Sequence, residues 1–263
     1  MVVQRHGAGR AGAIVAAALV GCVIAGAAGC GGSSAEIASG SAPDPAALVR
    51  AAADRLVAAG SSRATTSMEM ATGGTRVTIR GMGTYDFGRR TGELTVLLPQ
   101  DAKGAQERRP ITELFAPGAL YMKNRGAGVP ADKWVRVDTT TLLDGNLVTG
   151  GATDPYTAAA LLRGAQDVAY VGEEDLAGVS VRHYRGSAAL PAPVAKGFSR
   201  AVVPFDAYFD AAGRLCKVRQ QFSYVNRGRP VAVASTTLLY GFGADVNVRL
   251  PDARDIFDGK IQP

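Results

Sequence analysis

The stretch Thr75–Phe87 reads TRVTIRGMGTYDF and decides how this chain folds. Its apolar and small side chains recur at every second residue, with polar residues between them and Met82 as the exception. Side chains of a strand alternate between two faces, so the stretch predicts a β-strand with one dry and one wet face. The preceding Gly73–Gly74 pair predicts a tight turn and a hairpin with Ala64–Thr72.

The same period of two continues along the chain and predicts an antiparallel meander. Short strands bounded by turn residues are expected at 93–98, 111–115, 120–123, 133–138, 168–171, 179–186, 202–210, 214–224 and 231–242. In one of them Cys216, Val218, Phe222 and Tyr224 share a face, interrupted by Gln220. A sheet of about ten strands twists strongly and must close, split or be covered on its apolar face.

Helices are expected where an acidic residue precedes proline, because the carboxylate caps the first turn and proline presets its φ angle. Asp44-Pro45 opens one amphipathic helix that runs to Gly60, and Asp154-Pro155 opens a second. Segments 139–146 and 251–257 could each add a helical turn. Two or three helices are therefore available to cover the sheet.

Residues 1–29 have the pattern of a lipoprotein signal peptide: basic residues, an apolar run from Ala11 to Ala28, then small residues before Cys30. We expect cleavage before Cys30, acylation of Cys30 and a flexible tether over 30–42. Two acyl chains would hold the protein on the outer face of the cytoplasmic membrane. Cys22 is an alternative lipidation site, and ordinary secretion with an unmodified Cys30 is another.

The mature chain is long enough for a single domain, predicted over 43–263. Its basic residues are scattered, which is typical of a solvated surface; anionic lipid headgroups are the alternative contact, and nucleic acid is not expected. With Cys30 acylated, Cys216 has no disulfide partner in the mature chain. We expect a monomer.

Catalysis is not expected from this sequence. His183, the one histidine of the mature chain, lies in an alternating run and is predicted to be a structural residue of a strand. Ser199 lacks the strand-turn-helix context of a nucleophile elbow. Neither a metal site nor a cofactor is expected, because closely spaced His and Cys ligands are missing and the acidic run 173–175 lacks the alternating oxygen ligands of a calcium loop.

The order of several motifs resembles the LppX/LprG family of envelope lipoproteins, which share the half-barrel fold of the LolA and LolB carriers. The matching segments are Lys133–Asp138, Asp154-Pro155, Asp167–Glu174, Ala177–Val179, His183–Gly186, Val203–Asp210 and Gly213–Leu215. The resemblance implies an α+β fold: a strongly curved antiparallel sheet, or half-open β-barrel, of about ten strands, with two or three helices plugging its concave face. It also implies an apolar cavity for acyl chains.

The expected function is a membrane-anchored extracytoplasmic lipoprotein that binds lipid or acylated glycolipid and carries it within the cell envelope. The predicted cavity wall consists of Met68, Met70, Val77, Ile79, Gly81, Gly83, Val96, Val218, Phe222 and Leu238. The glycines could instead leave room for a bend or a packed helix. The alternative function is a non-catalytic interaction or scaffold module whose core is filled, because a lined cavity and a filled core show the same alternation.

Overall fold

Alternating side chains produce eleven strands, which with four short α-helices make up the regular structure in the described part of the chain. The computed structural model describes residues 44–98, 109–126, 128–148 and 153–259. The helices are α1 (Pro45–Arg50), α2 (Ala52–Ala59), α3 (Pro155–Ala160) and α4 (Ala192–Ala195). The strands are β1 (Ser61–Thr72), β2 (Thr75–Asp86), β3 (Thr91–Leu97), β4 (Ile111–Ala116), β5 (Ala119–Lys123), β6 (Trp134–Asp138), β7 (Ala165–Leu176), β8 (Val179–Ala189), β9 (Val202–Phe209), β10 (Leu215–Asn226) and β11 (Arg229–Tyr240).

All eleven strands belong to one curved, unclosed antiparallel sheet. Its order is β6-β5-β4-β3-β2-β1-β11-β10-β9-β8-β7, so two meanders meet where β11 pairs with β1. The first meander, β1 to β6, extends to one side, and the second, β7 to β11, extends to the other. The predicted fold class is confirmed.

Helices α1 to α3 pack on one face of the sheet, called here the inner face. Asp44 accepts a hydrogen bond from the Ala46 amide at 2.9 Å and so caps α1, and Asp154 caps α3 in the same way. The single helix predicted from Pro45 to Gly60 is divided at Ala51 into α1 and α2. The buried residues of these two helices pack with the inner-face side chains of most strands in one hydrophobic core.

Gln220, which interrupts the apolar face of β10, is buried at the junction of sheet and helix. Its Nε2 donates to the Ala158 carbonyl of α3 at 2.9 Å, so its amide has a partner although only 1% of the residue is exposed. Burial of a polar group costs little when its hydrogen bonds are made. The polar residue therefore fixes where α3 sits on β10.

Gly83 of β2 allows strand β3 to approach closely. A Cβ there would overlap the carbonyl oxygen of Glu93 and come within 2.9 Å of its carbonyl carbon. These are backbone atoms of the paired strand, which cannot rotate away. The absence of a side chain at Gly83 is therefore used for close packing of β3 against β2.

A bulge in β10 changes the face of Cys216. The pairing with β9 shifts between Leu215 and Lys217, and Cys216 packs with Val181 and Tyr208 on the outer face. The expectation that Cys216 shares a face with Val218 is therefore wrong, since a bulge inserts one residue and reverses the alternation. Among the described residues, no helix is long and apolar enough to cross a membrane.

Candidate functional site

The inner face has an open groove at one end of the sheet. This end, called the hairpin end, carries the β1–β2 turn at Gly73 and the β10–β11 turn at Gly228. The groove has a volume of about 590 Å³. It is lined by Met70, Thr141, Leu142, Leu143, Asp144, Val148, Gly197, Phe198 and Tyr224. Its size lies within the range of small-molecule sites.

Two loops and two strands build the groove. Met70 of β1 and Tyr224 of β10 belong to its sheet side, above a buried cluster that includes Met68 and Phe222. Phe198, which follows α4, packs on Phe222 with ring centroids 5.0 Å apart. The groove is therefore supported by a packed apolar layer.

The loop 141–148 is held in place by Asp144. Its Oδ1 accepts from the Asn146 amide at 3.2 Å and its Oδ2 from the Val148 amide at 2.8 Å. Such side chain to backbone bonds fix a turn without regular structure. Leu143 is consequently presented at the groove with 67% of its surface exposed.

The groove also has polar groups. Burial raises the pKa of the Tyr224 hydroxyl, and the negative charge of Asp144 raises it further. The hydroxyl therefore stays protonated at neutral pH and can donate a hydrogen bond. An apolar wall with a few placed polar groups suits an amphiphilic ligand.

Nine of the ten predicted wall residues share the inner face. The strand registers place them in adjacent rows: Val77, Met70 and Phe222; Ile79 and Met68; Val96, Gly81 and Val218; and Gly83. Val96 and Val218 belong to the core that α1 to α3 cover. Of these nine residues, Met70 lines the groove itself, while Met68 and Phe222 lie in the packed layer.

Leu238, the tenth, lies on the opposite face. It pairs with Thr65 of β1 and Lys217 of β10, and it lines a different groove of about 620 Å³ on the outer face together with Cys216 and Phe242. The prediction that it shares a wall with the other nine is corrected by this register.

Several groove residues were missed by reasoning from the sequence: Leu142, Leu143, Val148, Phe198 and Tyr224. All but Tyr224 belong to loops, where the alternation of apolar and polar residues does not predict which way a side chain points. The adjacent Leu142-Leu143 pair before the Asp144-Gly145 turn was the available signal, because apolar residues at a turn need a partner.

His183 is buried on the outer face between two carboxylates. Its Nε2 donates to Asp206 at 2.8 Å, its Nδ1 lies 2.7 Å from Glu174 without hydrogen-bond alignment, and its ring stacks on Tyr208 at 4.3 Å. These contacts agree with a structural histidine. In the ranges that the structure describes, no group of three or more His, Cys, Asp or Glu side chains is arranged to hold a metal.

Cys22, Cys30, the signal peptide and the tether lie outside the described residues. Lipidation at Cys30 therefore stays a prediction.

Neither a family model nor a curated protein sequence matches this chain. Among solved structures it is similar to LprF from Mycobacterium bovis, with 11% identity, a TM-score of 0.41, and coverage of 80% of this chain and 98% of that one. It is also similar to the lipoprotein LppX from Mycobacterium tuberculosis, with 12% identity, a TM-score of 0.44, and coverage of 78% and 100%. A LolA superfamily protein from Nitrosomonas europaea gives 12% identity, a TM-score of 0.34, and coverage of 81% and 97%. All three TM-scores are below 0.5.

Proposed function

We propose that this protein binds a lipid or an acylated glycolipid, with acyl chains in the groove at the hairpin end. The groove is the observation on which the proposal depends: an apolar space of about 590 Å³ on the inner face that α1 to α3 leave uncovered. Transfer of an acyl chain from water into such a space is favourable in proportion to the apolar area covered. The polar head would meet Tyr224 and Asp144.

Methionine supports this assignment. Met70 is half-buried at the groove and Met68 lies fully buried in the same β1 strand. An unbranched thioether side chain adapts to ligands of different shape. The groove would accordingly accept acyl chains without selecting strongly for one length.

In this proposal the chain is exported, acylated on Cys30 and retained on the outer face of the cytoplasmic membrane, where it carries its ligand within the envelope. The tether 30–42 would let the domain move toward and away from the bilayer. The compact unit Ser41–Pro263 contains both large hydrophobic clusters, so we expect it to fold without the first thirty residues.

An interaction module is the second candidate, and one observation favours it. The inner-face rows beneath the helices are filled: Leu94, Val96 and Phe209, for example, are completely buried. In that case the outer groove at Leu238, or the surface generally, would serve a partner protein and the inner groove would stay empty.

The test compares two methionine to tryptophan variants of residues 31–263. Met70→Trp fills the groove, whereas Met82→Trp adds the same volume on the outer face, where Met82 is 50% exposed. Uptake of a fluorescent fatty acid should weaken by about tenfold or more in the first and stay unchanged in the second. Lack of uptake by the wild type, together with absence of co-purified lipid by mass spectrometry, would favour the interaction module.

Anchoring is tested separately by fractionating cells that express the full chain. Cys30→Ala should release the protein from the membrane fraction, and Cys22→Ala should not. Retention of the Cys30→Ala protein together with release of the Cys22→Ala protein would assign lipidation to Cys22.

A further inference from the structure

The hairpin end of the sheet combines exposed apolar side chains with a concentration of positive charge. Leu143 and Val225 are the two most exposed large hydrophobic residues in the described ranges, at 67% and 64%. Leu143 lines the groove on the inner face, whereas Val225, the residue after Tyr224 in β10, faces the outer side at the same end of the sheet. Covering these side chains would remove apolar surface from water, which is favourable.

Basic residues lie at the same end of the sheet as these two apolar residues. The exposed cations at this end are Arg76 on the β1–β2 hairpin, Arg227 and Arg229 on the β10–β11 hairpin, and Lys196 and Arg200 on the loop after α4. The four segments 71–77, 141–148, 191–200 and 222–230 carry these five cations and one carboxylate, Asp144. Asp144 is 8% exposed and its oxygens accept hydrogen bonds within its own loop.

The positive charges are not neutralised by described neighbours. No described carboxylate lies within ion-pair distance of any of the five cations, whereas Arg163 and Arg214 elsewhere contact Asp54 and Asp210 at 2.7 Å. Glu69, also on the hairpin, is exposed but makes no such contact with Arg76. Cations without an ion-pair partner, at the same end of the sheet as exposed aliphatic side chains, are attracted to an anionic membrane surface.

The two hairpins hold these groups in one surface. Thr72 Oγ1 donates to the Pro230 carbonyl at 3.1 Å, which ties the β1–β2 turn to the β10–β11 turn. The Ser199 amide donates to the Ser223 carbonyl at 2.7 Å and fixes Arg200 beside the same strand. These two hydrogen bonds hold the two hairpins and the loop after α4 beside one another.

We propose that this surface, formed by Leu143, Val225 and the five cations, docks on the anionic phospholipid headgroups of a bilayer. Leu143 and Val225 enter the headgroup region, the cations contact phosphates, and the mouth of the groove faces the acyl chains. The proposal rests on the proposed function in one respect: docking there would let an acyl chain pass between bilayer and groove without crossing water.

The experiment measures vesicle binding of residues 31–263, which lack the signal peptide and cannot be acylated at Cys30. Vesicles of phosphatidylcholine with and without phosphatidylglycerol are compared at low and high salt. The variant Arg76→Gln/Arg227→Gln/Arg229→Gln should bind anionic vesicles about a hundredfold more weakly, since each basic residue near the surface contributes about fivefold to the affinity. The matched control Arg63→Gln/Arg136→Gln/Arg249→Gln removes the same charge from exposed sites outside the docking surface and should bind like the wild type.

Orientation is tested with an environment-sensitive fluorophore on Leu143→Cys, with Arg249→Cys as the control site. Anionic vesicles should shift the emission of the first label to the blue and leave the second unchanged. Equal loss of binding in the two triple variants, or equal shifts of the two labels, would overturn the proposal, because attraction would then follow net charge alone. Binding of free inorganic phosphate without vesicle binding would also overturn it.

The two proposals can fail separately. A wild-type protein that docks but takes up no fatty acid would refute lipid carriage and leave docking in place. Conversely, the hairpin-end triple variant should still bind a soluble fatty acid with unchanged affinity, and should extract it from anionic vesicles more slowly. Unchanged extraction would overturn the docking proposal while carriage survived.

Discussion

Replacing Gly83 by alanine would force strands β2 and β3 apart. The new methyl group would overlap the Glu93 carbonyl, and both the Glu93 carbonyl carbon and the Leu94 Cα would lie within 3.0 Å of it. All three atoms are backbone, so relief requires displacement of a strand. Overpacking of this kind costs about 1–3 kcal/mol, and contact with backbone puts Gly83→Ala at the upper end.

Alanine also reduces the conformational entropy of the unfolded chain, which stabilises the folded state by about 0.4–1 kcal/mol. The net loss in free energy of unfolding should therefore be about 2 kcal/mol, equivalent to a melting temperature lower by about 4–8 °C in a domain of this size. Thermal unfolding followed by circular dichroism measures it. Gly88→Ala is the matched control, because its Cβ would meet only the Asp86 Oδ1 at 3.4 Å.

A Gly83→Ala protein as stable as the Gly88→Ala protein would refute the role assigned to Gly83. The glycine would then be free to serve a ligand, as the sequence alone allowed. The same samples should be tested for fatty acid uptake, because a flatter sheet would also change the groove.

Two further predictions concern the outer face. Burial alone would raise the pKa of Asp206, but hydrogen bonds from His183 and Arg185 lower it below its usual value. Asp206 therefore contributes stability above its unfolded pKa of about 3.9, and this contribution disappears as the pH falls through the folded value. Asp206→Asn should cost about 1–3 kcal/mol at pH 7 and much less under acidic conditions in urea titrations; an equal cost at both would contradict the assignment. Burial raises the pKa of the Cys216 thiol, so a maleimide should label it slowly in the folded protein and rapidly in urea, and fast labelling of the native protein would show that the bulge is open.

The alternation of apolar and polar residues predicted the sheet because one face is buried along most strands. It predicted β2 from its apolar alternation, and the structure confirms that Met82, the exception in that pattern, is on the outer face. It underestimated β7, expected only at 168–171, because an edge strand with few buried side chains has no apolar face to reveal its length.

Alternation failed where polar residues are buried. In β11 the inner face includes Ser235 and Thr237, and Ser235 is paired with Thr153 at 2.7 Å. The neighbouring Leu238-Leu239 pair offers an apolar residue to each face, so composition could not decide between them. The register with β1 decides it and buries Leu239.

The groove could not be predicted from the alternation of residues, for a different physical reason. Its walls come from loops whose positions depend on hydrogen bonds such as those of Asp144, and these have no sequence period. The sequence could indicate that an apolar face exists. It could not indicate which end of that face the helices leave uncovered.

The two outermost strands differ in how they end the sheet. Along β7, Asp167 adopts a φ of 52° and the pairing with β8 shifts twice, while at β6 the Phe257 amide donates to the Trp134 carbonyl at 2.8 Å and occupies part of that edge. Irregular or occupied edges are poor templates for strand addition by another molecule. Copies of this open sheet are therefore not expected to join edge to edge into fibres at high protein concentration.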